Sequence, residues 1–208
     1  PQRLSVSPGP FESLLNDTNS YEKLTQEVNL RTFFTHTMVS LTKSLGKGFS
    51  ISPQLGVQYE KQHLGSSLLP SSDWAVPSSL GEEFTNTLDW VYRQAYSKLK
   101  TQYRKDKWQV TLTTPLSFHG FSLRDDPLQS TQKRQQLTFE PQLNSSYELN
   151  TYLTVSGSLG RQNQFGKIED VFYGYLLRNY RTIERRDAPL PANISQGGSL
   201  SLIYRNPI

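Results

Sequence analysis

The feature that most constrains this chain is an alternation of period two whose second face is polar yet almost free of charge. From Phe49, the residues Phe49, Ile51, Pro53, Leu55, Val57 and Tyr59 share one parity, and Ser50, Ser52, Gln54, Gly56, Gln58 and Glu60 take the other. Successive side chains of a strand point to opposite faces, so the stretch predicts a strand with one apolar and one hydrophilic surface. Trp108, Val110, Leu112, Thr114, Leu116 and Phe118 repeat the pattern against Gln109, Thr111, Thr113, Pro115, Ser117 and His119. So do Leu137 to Leu143, Leu149 to Leu159 and Leu200 to Tyr204. These segments predict an all-β fold, an antiparallel up-and-down arrangement of about eight strands.

Two further stretches carry weaker patterns. Leu24, Val28, Leu30 and Phe34 begin on one parity and Val39 and Leu41 continue on the other, which predicts a bulge. Residues 84–103 fit a strand through Leu88, Trp90, Tyr92 and Tyr96, but also a helix face through Leu88, Val91, Ala95, Leu99 and Tyr103; neighbouring strands favour the strand. The pattern of Ile168 to Tyr180 permits a short helix or a strand. A first strand falls near Leu4 to Leu14, interrupted by Pro8 and Pro10.

Connections add a second constraint. Ser44 to Gly48, Arg104 to Lys107 and Asn144 to Ser146 read as short turns, whereas 65–83, 124–134 and 163–198 read as long polar links. Short and long connections alternate, so antiparallel pairing gathers the short turns at one end and the long links at the other. That asymmetry, with predicted strands of about 13 to 20 residues against the usual 5 or 6, favours a transmembrane barrel over a sandwich. Trp108, Tyr103 and Phe49 lie beside short turns while Phe118, Phe121 and Tyr59 lie towards the long links, as two interfacial girdles would. Leu55, Val57, Leu112, Leu116, Leu153 and Val155 are then expected to face lipid, and Gln54, Gln58, Thr111, Thr113, Thr154 and Ser156 to face inwards.

Composition excludes several chemistries. The 208 residues contain no Cys, so thiolate metal sites, disulfide frameworks and cysteine nucleophiles are ruled out. A net charge of +4 from 22 basic and 18 acidic residues comes without the clustering that a nucleic-acid groove requires. His36, His63 and His119 share no metal-ligand spacing, and His119 with Ser117 lacks a nucleophile elbow. Glu82-Glu83 and Asp125-Asp126 lack a calcium-loop pattern. No catalytic, metal or cofactor site is expected. The longest link places Tyr173, Tyr175, Arg178, Tyr180 and Arg181 together, offering stacking surface and anion-binding donors, and is the expected place of ligand contact.

Trp108-Gln-Val-Thr-Leu-Thr-Thr-Pro-Leu116, Phe139-Glu-Pro-Gln-Leu143 with Tyr147-Glu-Leu149, Tyr173 to Thr182 and Leu202-Ile-Tyr-Arg-Asn-Pro207 together resemble Bacteroidetes-type TonB-dependent outer-membrane receptors of the carboxypeptidase-regulatory-like class. The resemblance implies that residues 1–208 form one section of a larger barrel, without a plug domain. It also implies location in the outer membrane, contact with outer-membrane lipid, and uptake of a small-molecule, glycan or peptide substrate. TonB and a surface lipoprotein would engage parts of a longer protein. The competing expectation is a soluble or periplasmic lipocalin-like barrel that encloses an apolar ligand and so inverts the two faces. A surface protein without a transport role is a third.

Overall fold

The computed structural model describes residues 2–7, 11, 23–71, 80–126, 130–186 and 192–205. Its dominant feature is one antiparallel sheet built from β1 (Gln2–Val6), β2 (Lys23–Ser40), β3 (Lys43–Gly46), β4 (Phe49–Ser71), β5 (Thr85–Lys105), β6 (Trp108–Asp125), β7 (Ser130–Phe139), β8 (Gln142–Asn150), β9 (Leu153–Phe165) and β12 (Ala192–Tyr204). The hairpin of β10 (Phe172–Asn179) and β11 (Thr182–Arg186) is separate. The fold is all-β, with the sheet in the order β1-β2-β4-β5-β6-β8-β9-β12, β3 pairing with β4 and β7 with β6.

Two breaks in the strands are local. β2 and β3 keep a single register against β4, from Lys23↔Ser71 through Ser40↔Gln54 to Lys43↔Ile51. β7 and β8 keep one register against β6, from Ser130↔Asp125 to Tyr147↔Trp108. Each break falls opposite a proline: Leu41 donates to the Pro53 carbonyl at 3.1 Å, and Glu140 to that of Pro115 at 3.2 Å. An ordinary residue would return an N–H at those pairs, and proline has none. With the breaks bridged, the sheet is an eight-strand meander.

The face that carries the β10–β11 hairpin is the inner face. Near the hairpin it is apolar: Leu64, Leu88, Trp90, Phe121 and Leu123 pack under Ile168, Val171, Phe172, Tyr173 and Leu176. A second cluster joins Val6, Phe11, Leu24, Leu68, Phe84 and Leu177. Towards the short turns the same face becomes hydrophilic, and the apolar residues move to the outer face. Leu55, Val57, Leu112 and Leu116 stand there, between 39% and 64% exposed, with the half-buried Leu153 and Val155 on the same side. Gln54, Gln58, Thr111, Thr113, Thr154 and Ser156 lie opposite, as the alternation predicts.

This crossover corrects several expectations. β2 contains no bulge: its register with β4 is unbroken, and the change of parity between Leu30 and Val39 marks a change in which face is buried. The same change in β5, from Leu88 and Trp90 inside to Val91, Ala95 and Leu99 outside, produces the helix-like spacing of what is a strand. Phe121 turns inwards and is 6% exposed, so it belongs to the core and not to an outer aromatic row. Asn144 to Ser146 is not a turn but the middle of β8; the reversal comes at Thr151-Tyr152. Asn and Ser are turn formers, but on a hydrophilic face they alternate as any polar residue does. The link expected at 65–83 begins only after β4 ends at Ser71, and that at 124–134 is shortened by β6 and β7. The link at 163–198 contains the end of β9, the hairpin and the start of β12. Ile168–Asp170 is one 3-10 turn, followed by strand β10. Of the expected first strand, Gln2–Val6 pairs with β2, and residues 8–10 and 12–22 lie outside the described set.

The two outermost edges of the sheet, formed by β1 with the side of β2 beyond Val28 and by the side of β12 away from β9, have no strand partner among the described residues, and neither has the side of β7 away from β6. Among the described residues no strand pairing closes the sheet into a barrel.

The short turns at 46–48 and 105–107 rest on positive φ angles at Gly46, Lys47, Gly48 and Asp106. Gly46 (φ +84) faces open space, whereas a Cβ on Gly48 (φ +79) would sit 1.8 Å from the Arg104 carbonyl oxygen. Gly46→Ala should therefore cost about 1 kcal/mol, the left-handed penalty alone. Gly48→Ala should cost at least twice that, because the β3–β4 turn must also part from β5. Denaturant midpoints of the two variants measure the difference, and equal shifts would contradict the crowding at Gly48.

Candidate functional site

The hairpin is held on the inner face by two side-chain amides that imitate strand pairing. Asn86 of β5 donates through Nδ2 to the Gly174 carbonyl at 3.2 Å and accepts the Gly174 N–H at Oδ1 at 2.7 Å. Gln26 of β2 does the same for Leu177, donating from Nε2 to its carbonyl at 3.0 Å and accepting its N–H at Oε1. Both amides are almost fully buried, 1% and 4% exposed, and the second Nδ2 bond of Asn86 reaches Ser66 Oγ at 2.8 Å. Gly174 must be glycine for this approach: a Cβ there would lie 2.4 Å from the Thr85 carbonyl oxygen.

The residues expected to contact ligand divide between the hairpin's core side and its tip. Tyr173 is buried, with its hydroxyl accepting from Gln132 Nε2 at 2.8 Å, and Tyr175 packs on Phe84 at 5.4 Å between ring centres. Arg178 meets Glu184 at 3.3 Å and lies over Phe172 at 5.3 Å. Tyr180 is 61% exposed, and Arg181 stacks over its ring at 4.9 Å. Only Arg178, Tyr180 and Arg181 are therefore exposed, at the reversal of a folded hairpin and not on an extended external loop. Residues 170–187 cannot be exchanged for a neutral linker without uncovering Leu64, Leu88 and Trp90.

Below the hairpin the inner face is lined by amides, hydroxyls and a few rings. His119 is buried between Tyr92, whose hydroxyl is 2.9 Å from Nδ1, and Thr138, whose Oγ1 is 2.9 Å from Nε2. Both ring nitrogens are thus committed, and no nucleophile pair with Ser117 exists. Phe165 closes over His119 and Phe121 at 4.7 and 4.8 Å. Tyr96 lies flat across its direct partner Gly56, where a Cβ would meet the ring at 2.4 Å, and its hydroxyl reaches His36 Nε2 at 2.9 Å. His63 faces Asp89 at 3.2 Å on the outer face, so the three histidines are dispersed. Among the described residues no group of three acidic or histidine side chains could hold a metal.

Part of this face, on β6, β8, β9 and β12, is grooved, and no single residue in the sequence singles it out. Gln109, Thr111, Asn144, Ser146, Ser156, Ser158 and Ser199 line a shallow groove of about 210 Å³. It adjoins one of about 290 Å³ along Gln142, Asn144, Ser158, Gln162 and Ser195. Small residues make the space: Gly157 lies beside the first groove, and Gly160 and Gly197 beside the second. Apart from Arg161, which borders the second groove, the polar lining is of neutral amides and hydroxyls that donate and accept, which suits hydrogen bonding to a polar solute. Neither protein-family models nor curated proteins give a match to this chain.

Asn86→Ala should orphan both backbone groups of Gly174. A buried unsatisfied group costs about 1–3 kcal/mol, so the hairpin should loosen by about 2–5 kcal/mol. Hydrogen exchange of the β10 amides should accelerate while the β5–β6 ladder keeps its protection. Unchanged β10 exchange would show that the amide clamp is idle.

Proposed function

We propose that this chain is a section of the wall of an outer-membrane β-barrel that passes a hydrophilic solute along its inner face. One observation carries the reading: the outer face has an aliphatic band bounded by aromatic residues ten positions apart on two strands. Phe49 and Tyr59 mark it on β4, and Trp108 and Phe118 on β6. Ten residues extend about 33 Å along a strand, which at the usual tilt of about 40° gives a height near 25 Å, the thickness of a barrel's apolar band. At the turn end the rings pair across strands, Phe49 with Tyr103 at 6.4 Å and Trp108 with Tyr147 at 4.7 Å. Beyond Tyr59 the outer face turns charged, with Lys61, His63, Asp89, Arg93 and Arg124.

The two unpaired outermost edges support a section over a complete small barrel. In hydrocarbon every backbone polar group needs a partner, so a spanning sheet has to be closed by further strands. The lipocalin-like alternative requires Leu55, Val57, Leu112 and Leu116 to pack inside, and their exposure on the outer face favours the membrane reading. The neutral amide and hydroxyl lining suits a polar cargo, a glycan or peptide among them, with the clamped hairpin narrowing the passage at the end opposite the short turns. Energy coupling through TonB and capture through a surface lipoprotein follow from the resemblance of the strands to TonB-dependent receptors.

Spin labels placed singly at Leu55, Val57, Leu112 and Leu116 in reconstituted protein should relax with dissolved oxygen. Labels at Gln54, Gln58, Thr111 and Thr113 should respond to a water-soluble nickel chelate. Oxygen contact at the second set, or extraction of the protein without detergent, would overturn the membrane reading. Val155→Arg should destabilise the assembled protein by about 2–4 kcal/mol where that residue lies near the midplane, and Ser156→Arg much less. Urea titration in lipid vesicles compares the two.

A further inference from the structure

On the outer face, where the aliphatic band meets the charged end, the strands leave a groove of about 750 Å³. It exists because Gly120 of β6 has no side chain and a Cβ there would meet nothing within 4 Å. Val57, Tyr59 and Phe118 form its apolar side, and Val57 and Phe118 are 57% and 47% exposed. Arg93 and Lys133 stand over the other side. Arg93 is the direct partner of Gly120, and Lys133 the partner of Ser122 on the opposite neighbour of β6. The two cations therefore flank β6, their backbones about 12 Å apart by strand spacing and a two-residue offset.

The charges around the groove are uneven. On this end of the outer face Asp89 is engaged by His63 at 3.2 Å, and Asp126 by Arg124 at 2.8 Å. Among the described residues neither Arg93 nor Lys133 forms a salt bridge; Arg93 only rests over the Tyr59 ring at 5.9 Å. Two unopposed cations above an apolar floor call for an anion attached to a hydrocarbon. A guanidinium and an ammonium supply the donors that phosphate oxygens accept.

We propose that this groove is a binding site for a phosphate-bearing acyl lipid, with the phosphate between Arg93 and Lys133 and an acyl chain along Val57 and Phe118. The site rests on the membrane reading above, because it places this level of the strands at a lipid interface. It differs from general lipid contact in being local, with Arg93, the Gly120 gap and Lys133 on three adjacent strands.

The test uses the assembled protein that contains this chain, in neutral detergent, titrated with phosphatidic acid and observed by native mass spectrometry. Phosphatidylcholine with the same chains and inorganic phosphate serve as the other arms. Phosphatidic acid should be retained at least tenfold more tightly than phosphatidylcholine, and inorganic phosphate should not displace it. The double variant Arg93→Gln with Lys133→Gln should lose that preference, while Lys47→Gln with Lys105→Gln at the turn end should keep it. Gly120→Trp fills the groove without altering charge and should also abolish retention. Equal retention of the two lipids, displacement by inorganic phosphate, or a preference that survives in the Arg93/Lys133 variant would overturn the site. A chain that stays monomeric without detergent would overturn the membrane reading itself, an outcome separable from these.

Discussion

Each long strand of this sheet has to satisfy two different surroundings along its length, and the rest of the structure depends on that division. Towards the hairpin, β2, β4, β5 and β6 bury their inner face, through Leu24, Leu68, Leu88 and Leu123. Towards the short turns they present apolar side chains outwards, through Val39, Leu55, Leu99 and Leu112. Side chains alternate strictly along a strand, so the change is made by exchanging the residue types on the two parities and not by twisting the backbone. The exchange falls at one level because the strands are locked in register: Leu64 pairs with Leu88, and Tyr59 with Arg93 and through it with Gly120.

The hairpin is the counterpart of this division. It supplies the cover for the inner apolar segment, and its backbone is fixed by amides at Gln26 and Asn86. Hydrophobic packing alone leaves sliding along a strand cheap, because neighbouring aliphatic positions are similar. A bidentate amide accepts one N–H and donates to one carbonyl of a single residue, so it fixes position as well as contact. The apolar cluster accounts for the hairpin's attachment, and the two amides account for its register.

Much of the fold was legible because alternation is a local property. The strands through Phe49, Trp108 and Leu200, the turns at 46–48 and 105–107 and the facing of Leu55, Val57, Leu112 and Leu116 follow from single segments, whereas Leu137 to Leu143 spans the break between β7 and β8 and Leu149 to Leu159 spans the reversal at Thr151-Tyr152. Three of the misreadings share one cause, the assumption that a strand keeps the same buried face throughout. That assumption makes a bulge of β2, a possible helix of β5 and an outer aromatic of Phe121. The cover over the inner face had one usable signal: Leu64, Leu68, Leu88, Trp90 and Leu123 lie on the parity opposite to the outer band. Gln26 and Asn86 had none, since an amide that clamps a backbone and an amide that faces water look alike in a sequence. The neutral grooves beside Asn144 and Ser158 were hidden likewise, because they are defined by small neighbours on three other strands.

The prolines have a consequence for how the sheet can bend. Pro53 pairs with Leu99, Leu99 with Thr114, and the unbroken register of β7 and β8 sets Pro141 beside Thr114. Pro115 lies one residue away, and Arg161 donates to the Pro141 carbonyl at 3.1 Å without receiving an N–H in return. The missing donors thus form a seam that crosses the strands through the middle of the outer band. Elsewhere curvature has to be shared among intact ladders, but along this seam the ladder already lacks bonds that bending would strain. The sheet is in effect two stiff panels joined by a crease, and rotation of the capped panel against the bare one would concentrate there.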